Sequence, residues 1–144
     1  AKYYAVADKV SGQLLDVKEV SALPEDSKLT LIKALLYSMS KLHREKIVHS
    51  DLKPENILIK ATEEGFCTAK IIDFDAGFFE DDIPENIEGS QNYFAPEMLQ
   101  RMNGEDINVT VKADVFALEG GHVVPGDFAD RGSVPAAAVM FGHK

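Results

Sequence analysis

The chain has 144 residues, with 24 Asp and Glu against 15 Lys and Arg, one cysteine and no tryptophan. At 45% apolar and 27% charged it has the composition of an ordinary globular domain with a real core, which excludes a disordered chain. A formal charge of -9 excludes nonspecific capture of nucleic acid or an anionic membrane, because phosphate contacts need clustered Lys and Arg. The single thiol, Cys67, leaves no intramolecular disulfide framework and no cysteine-based zinc site. No apolar run reaches the roughly 18 residues of a membrane span. The opening AKYYAVADK lacks the charged head and apolar stretch of a signal peptide. A soluble protein of the cytoplasm or another reducing intracellular compartment is expected.

Residues 3–10 mix aromatic and β-branched side chains ahead of Ser11 and Gly12, the pattern of a short strand entering a turn. Residues 13–20 predict a short helix, closed near Pro24. The strongest helical pattern covers 27–46. There Leu29, Ile32, Leu35, Leu36, Met39 and Leu42 recur at three- and four-residue steps and form one apolar stripe. Arg44 and Lys46 suit the negative end of that helix's dipole. Residues 56–60 (NILIK) and 68–73 (TAKIID) read as two short strands of a hairpin, separated by ATEEGFC. Residues 77–89 have no dominant period and predict an exposed loop. Pro96 favours a first helical turn, and Asp114 suits the N-cap of a short helix through VFAL. Residues 120–144 hold five of the ten glycines and two of the six prolines, which argues against a regular element there.

Charge is unevenly placed. Residues 71–100 carry eight acids and no Lys or Arg, leaving 16 acids against 15 bases elsewhere. Such a stretch is either a solvated acidic loop or a site that holds cations.

Between the long helix and the hairpin lies HSDLKPEN, residues 49–56. An acid (Asp51), a lysine two residues on (Lys53) and an amide five residues on (Asn56) converge if the loop is tight, and Pro54 restricts the backbone in that sense. The hairpin returns the chain near Asn56 at Asp73. One carboxylate and one amide supply the hard oxygen ligands that Mg2+ prefers. A second carboxylate and a lysine complete the set that phosphoryl transfer uses: charge neutralisation, a cation near the transferred group, and a group to orient a hydroxyl.

HSDLKPEN, IIDFD, GSQNYFAPE and DVFAL, in this order and at these intervals, resemble the catalytic loop, metal-binding segment, substrate loop and following helix of eukaryotic-type protein kinases. Lys53, two residues after the acid, is the serine/threonine form of that loop. The resemblance covers about residues 3–118. It implies an α+β, protein-kinase-like fold that is incomplete, a mainly helical large lobe with a small catalytic β-hairpin and a hinge strand. Residues 1–118 would form this partial domain and 119–144 a divergent, irregular tail. It also implies transfer of the γ-phosphate of ATP to Ser or Thr hydroxyls of a protein substrate, with ATP and Mg2+ as cofactors and no nucleic-acid or membrane partner.

Carried over residue by residue, the resemblance makes Asp51 the catalytic carboxylate and Lys53 the lysine that steadies the γ-phosphate. Asn56 and Asp73 match the metal ligands. Backbone groups of Asp8 and Val10 would meet adenine, with Ala7 at the back of the pocket and Leu58 under the ring. Ser90 and Tyr93 match the substrate loop, and Glu55 matches a position that in some kinases meets a basic substrate residue. His49 is expected to be structural rather than an acid or base. Asp114 resembles an acid that ties the next helix to the catalytic loop.

Four departures accompany these matches. No glycine-rich phosphate loop, strand lysine or partner glutamate precedes the hinge, so little or no activity is expected of the isolated chain. Ser50 stands where many kinases have arginine, and residues 75–89 contain no Ser, Thr or Tyr, so activation by phosphorylation of that segment is not expected. Asp75 replaces the usual glycine after Asp73 and Phe74. The match ends after Leu118, where Glu119 replaces a small residue; a truncated or altered end is expected, and no metal is assigned to His122 or His143. A noncatalytic kinase-like binding module and a nonfunctional remnant are the alternative readings.

Overall fold

The computed structural model describes residues 9, 11–14, 16–61 and 67–119. Near its start, Asp16 takes an extended conformation (φ -94°, ψ 121°), and its Oδ1 accepts the backbone N–H groups of Lys18 and Glu19 at 2.8 and 3.0 Å. This is an N-cap, so helix α1 runs Val17–Ala22 and cannot extend back through residue 16. The helix expected over 13–20 is therefore corrected: Gln13–Leu14 form strand β1, and only the later residues are helical.

Helix α2, Glu25–Arg44, begins directly after Pro24, with Glu25 and Asp26 in its first turn and Lys41, His43 and Arg44 in its last. Acids at the start and bases at the end both complement the helix dipole. Its buried face is Leu31, Ile32, Leu35 and Met39. The predicted stripe is thus rotated. Leu29 and Leu36 lie 50% and 49% exposed, while Leu31, outside the predicted set, is buried. At about 100° per residue, Leu29 and Leu36 share a line beside the buried face rather than within it.

Past α2 come strand β2 (Ile47–Val48), a short 3-10 turn at Pro54–Asn56, and strands β3 (Ile57–Ala61) and β4 (Cys67–Ile71). The hairpin exists in antiparallel register from Ile57 opposite Ile71 to Ala61 opposite Cys67. Each strand is displaced from its predicted span: β3 is one residue later, because Asn56 belongs to the 3-10 turn, and β4 begins one residue earlier and ends two earlier, leaving Asp73 beyond it. β3 is central in a three-stranded sheet ordered β1-β3-β4. Ile57, Ile59, Ala69 and Ile71 share one face of that sheet and pack with Leu31, Leu35 and Met39 of α2, together with Val20 and Leu52. This is the first core.

A second core gathers around β5 (Phe78–Phe79), which pairs antiparallel with β2 through Val48 opposite Phe78. Phe78, Ile87, Phe94, Met98, Val109 and Ala113 are buried there with Val48. Residues 77–89 are consequently not a free loop. They are pinned at both ends by Phe78 and Ile87, two apolar anchors too far apart to register as a period. Glu80 in the acidic stretch adds another tie, its Oε1 accepting the Val111 N–H at 2.8 Å. Helix α3 (Pro96–Met102) has Pro96 in its first turn, as expected. Helix α4 (Lys112–Glu119) starts two residues before Asp114, which stands in its first turn instead of capping it. The helices and two small antiparallel sheets make the expected α+β, mainly helical architecture. Among the described residues, no helix is long and apolar enough to cross a membrane. Apart from Lys9, the hinge strand expected over 3–10 lies outside the described residues, as does the tail over 120–144.

The rotated face of α2 has a direct consequence for stability. Leu35→Ala should cost about 2–5 kcal/mol, whereas Leu36→Ala should change stability by less than about 0.5 kcal/mol. Urea unfolding of the two variants measures the difference; equal losses would place both residues in the core.

Candidate active site

The site is built on the turn His49-Ser50-Asp51, which leaves β2 and passes Ser50 through the left-handed region (φ 69°). A serine there is unfavourable unless its surroundings hold it. Asp114 holds it. This carboxylate is only 2% exposed, with Oδ2 accepting the His49 N–H at 2.8 Å and Oδ1 the Ser50 N–H at 3.1 Å. His43 of α2 adds a contact from Nε2 to Oδ2 at 3.2 Å; since a carboxylate only accepts, His43 presents Nε2–H. The expected tie from this helix to the loop is present in these distances.

His49 is fully buried. Its Nε2 donates to the Ile72 carbonyl at 2.9 Å, and its Nδ1 accepts the Asp51 N–H at 3.3 Å. A carbonyl needs a donor and an N–H needs an acceptor, so one tautomer serves both. Phe74 packs edge-on against the ring at 4.9 Å. Both nitrogens are thus occupied in bracing the loop.

Asp51 points the other way, into a cluster of donors. Its Oδ1 accepts the Ser90 N–H at 2.8 Å, and its Oδ2 meets Lys53 Nζ and Asn56 Nδ2, each at 3.0 Å. Lys53 Nζ also donates to Ser90 Oγ at 2.7 Å. Burial acts to raise the Asp51 carboxyl, but the hydrogen bonds from Ser90 and Lys53 and the lysine charge outweigh it and hold it below the usual aspartate value. Asn56 donates from the same Nδ2 to the Asp51 carbonyl at 2.7 Å. Both partners are acceptors, which fixes the amide nitrogen on that side and leaves Oδ1 as the atom able to face a cation.

Asp51, Lys53 and Asn56 therefore converge as the spacing predicted, with Ser90 joining them across 37 to 39 positions of sequence. Asp73 is brought near by backbone instead: the Ile72 N–H donates to the Asn56 carbonyl at 2.9 Å. Its own side chain is exposed, at φ 64°, and is joined to the other three by no hydrogen bond among the described residues. Asp75 is exposed as well. Leu58 sits opposite Leu14 and Lys70 on the sheet face turned away from Ile57 and Ile59. Tyr93 is half-buried, and burial followed by the charges of Glu55 and Asp51 pushes its hydroxyl pKa up. Glu55 itself is exposed in the 3-10 turn. Asp8 and Val10, with Ala7, lie outside the described residues.

Sequence reasoning singled out Ser50 only as a departure from the family pattern, without its contacts, and gave Gly89 no role. Ser50 is buried, and its Oγ donates to the Glu88 carbonyl at 2.7 Å. Gly89 lies against it at φ 139°, where an added Cβ would stand 2.5 Å from the Ser50 carbonyl oxygen and 2.8 Å from the Phe94 ring. The glycine directly before Ser90 was the available signal, since only a residue without Cβ fits so close an approach.

The family model "Protein kinase domain" matches residues 1–121. Serine/threonine-protein kinase D3 of Homo sapiens is 35% identical over 106 residues, covering 69% of this chain and 12% of that protein. Serine/threonine-protein kinase dkf-1 of Caenorhabditis elegans is 32% identical over 105 residues, covering 69% and 14%. Serine/threonine-protein kinase CG17528 of Drosophila melanogaster is 34% identical over 117 residues, covering 79% and 15%. The chain spans 12% to 15% of the length of these curated relatives.

The Asp51 cluster sets a pH dependence. A carboxyl whose pKa is lower in the folded than in the unfolded chain adds stability that is complete above the unfolded value, near 3.8, and is lost as pH falls through the folded value. Unfolding free energies of the wild type and Asp51→Asn should therefore differ most above about pH 4 and draw together as the pH falls below it. A gap that stays constant over that range would show that the ionised carboxylate is not its source.

Proposed function

Since the chain belongs to the protein kinase family, we propose that its site transfers the γ-phosphate of ATP to serine or threonine hydroxyls of a protein substrate. The observation that carries this reading is the convergence of Asp51, Lys53, Asn56 and Ser90 on one point. An ionised carboxylate has about four acceptor sites. The Ser90 N–H, Lys53 Nζ and Asn56 Nδ2 occupy three around Asp51, which leaves room for one more donor. A substrate hydroxyl is the donor proposed. Asp51, held ionised, orients that hydroxyl and takes its proton as the oxygen bonds to phosphorus and ADP leaves.

Lys53 stands beside both Asp51 and Ser90, where its charge would meet the transferred phosphoryl group. Asn56 Oδ1 and the exposed Asp73 carboxylate are hard oxygen donors on adjoining backbone, a donor set that fits Mg2+. When bound, the metal neutralises charge on the phosphoryl oxygens. Asp8, Val10 and Leu58 are assigned to the adenine pocket. Ser90, Tyr93 and Glu55 are assigned to the substrate peptide, and the negative charges of Glu55 and Asp51 around Tyr93 favour a basic residue in it. The catalytic unit is assigned to residues 1–118, with 119–144 as an appended tail. Use of ATP fits an intracellular protein.

Asp51→Asn is the direct test, made in the full-length gene product. Transfer of labelled γ-phosphate from ATP and Mg2+ to a serine- or threonine-containing basic peptide should fall by about 10²- to 10⁴-fold, with ATP binding retained. Undiminished transfer in the variant would overturn the assignment.

A further inference from the structure

Ser50 takes no part in the proton or phosphate handling proposed above, yet every polar atom it has is placed. It is 6% exposed, with its N–H on the Asp114 carboxylate, its Oγ on the Glu88 carbonyl, and its own carbonyl against Gly89. The N–H bond anchors it to the buried side of the molecule, through a carboxylate that two other donors also hold. The Oγ bond reaches outward to the segment that leads into the substrate loop.

We propose that the Ser50 hydroxyl is a positioning latch, which clamps the backbone at Glu88 onto the catalytic turn and so delivers Ser90 to Asp51 and Lys53. The spacing supports it. Only Gly89 separates the clamped carbonyl from the Ser90 N–H that meets Asp51 at 2.8 Å, and the missing Cβ of Gly89 lets that segment lie flat on the turn. Without the latch, the Ser90 end hangs from its bonds to Asp51 and Lys53 and from the buried Ile87 and Phe94 side chains on either side. The latch is a neutral hydrogen bond made in the resting chain. Since residues 75–89 contain no hydroxyl side chain, it holds that segment with no modification there.

The effect on catalysis rests on the kinase reading, but the clamp on Ser90 does not. Ser50→Gly separates the hydroxyl from the backbone, since glycine relieves the left-handed conformation and removes only the donor. In the full chain, hydrogen exchange at the Ser90 amide should accelerate about tenfold while amides of α2 and the thermal melt stay unchanged. In the full-length gene product, kcat/KM for a peptide substrate should fall about tenfold with KM for ATP unchanged, a split that a general loss of structure does not produce. Unaltered Ser90 exchange would overturn the latch. If Ser50→Gly loses its cooperative melt, Ser50→Ala provides the same readout; loss of the melt in both would make Ser50 a folding residue and overturn it as well. Accelerated exchange in a protein that shows no phosphate transfer even as wild type would keep the latch and remove the kinase reading.

Discussion

Asp114 lies in the first turn of α4, yet both of its oxygens are spent on a turn 64 and 65 residues earlier in the chain. A buried carboxylate is costly unless its acceptor sites are filled, and here two backbone N–H groups and the His43 ring fill them. The same bonds restrain Ser50 in a left-handed conformation that costs on the order of 1–3 kcal/mol when unsupported. That conformation is what turns the chain so that His49 faces inward and Asp51 faces the donors. Removing the carboxylate would release two N–H groups and a strained residue together.

The turn also stands between two cores. Val48, immediately before it, is buried with Phe78 and Phe94, whereas Leu52, immediately after it, is buried with α2 and the β3-β4 hairpin. Three residues of backbone therefore pass from one apolar cluster to the other, and Asp51 is positioned by both. Ser90 reaches Asp51 from the second cluster, while Asn56 reaches it from the first. The polar network at the site is thus the seam along which the two clusters are joined, which explains why so few of its polar atoms lack a partner. Part of the acidic stretch is drawn into this seam: Glu80 caps the approach to α4, while Asp81, Asp82, Glu85 and Glu88 stay in solvent.

Motif residues were legible because their chemistry is local. Asp51, Lys53 and Asn56 sit within six positions, and a tight loop is enough to bring them together. The hairpin and the helix after Pro96 were legible for a similar reason, through alternation and the first-turn preference of proline. What was not legible depended on partners distant in sequence. The face of α2 was set by where the sheet lay, so Leu31 went inside and Leu36 outside despite equal hydrophobicity. β5 is two residues long and exists because β2 offers it a partner. The helix over 13–20 was misread because Asp16 caps a helix start within that window. Ser50 and Gly89 have no meaning apart from each other, and no spacing rule connects positions 39 apart.

The reach of Asp114 also imposes an order on the birth of the site. Chains emerge from the amino terminus at roughly 5–20 residues per second, so the 64 positions between Ser50 and Asp114 take roughly 3 to 13 s to synthesise. By the end of that interval α2, β2, both hairpin strands and β5 have been made, whereas Ala117 and Leu118, which belong to the first core, come after Asp114. The loop that would carry the chemistry is left without its carboxylate clamp, and Ser90 arrives before the clamp does. A nascent chain of this kind therefore completes neither its first core nor the clamp on its catalytic turn until α4 has been made.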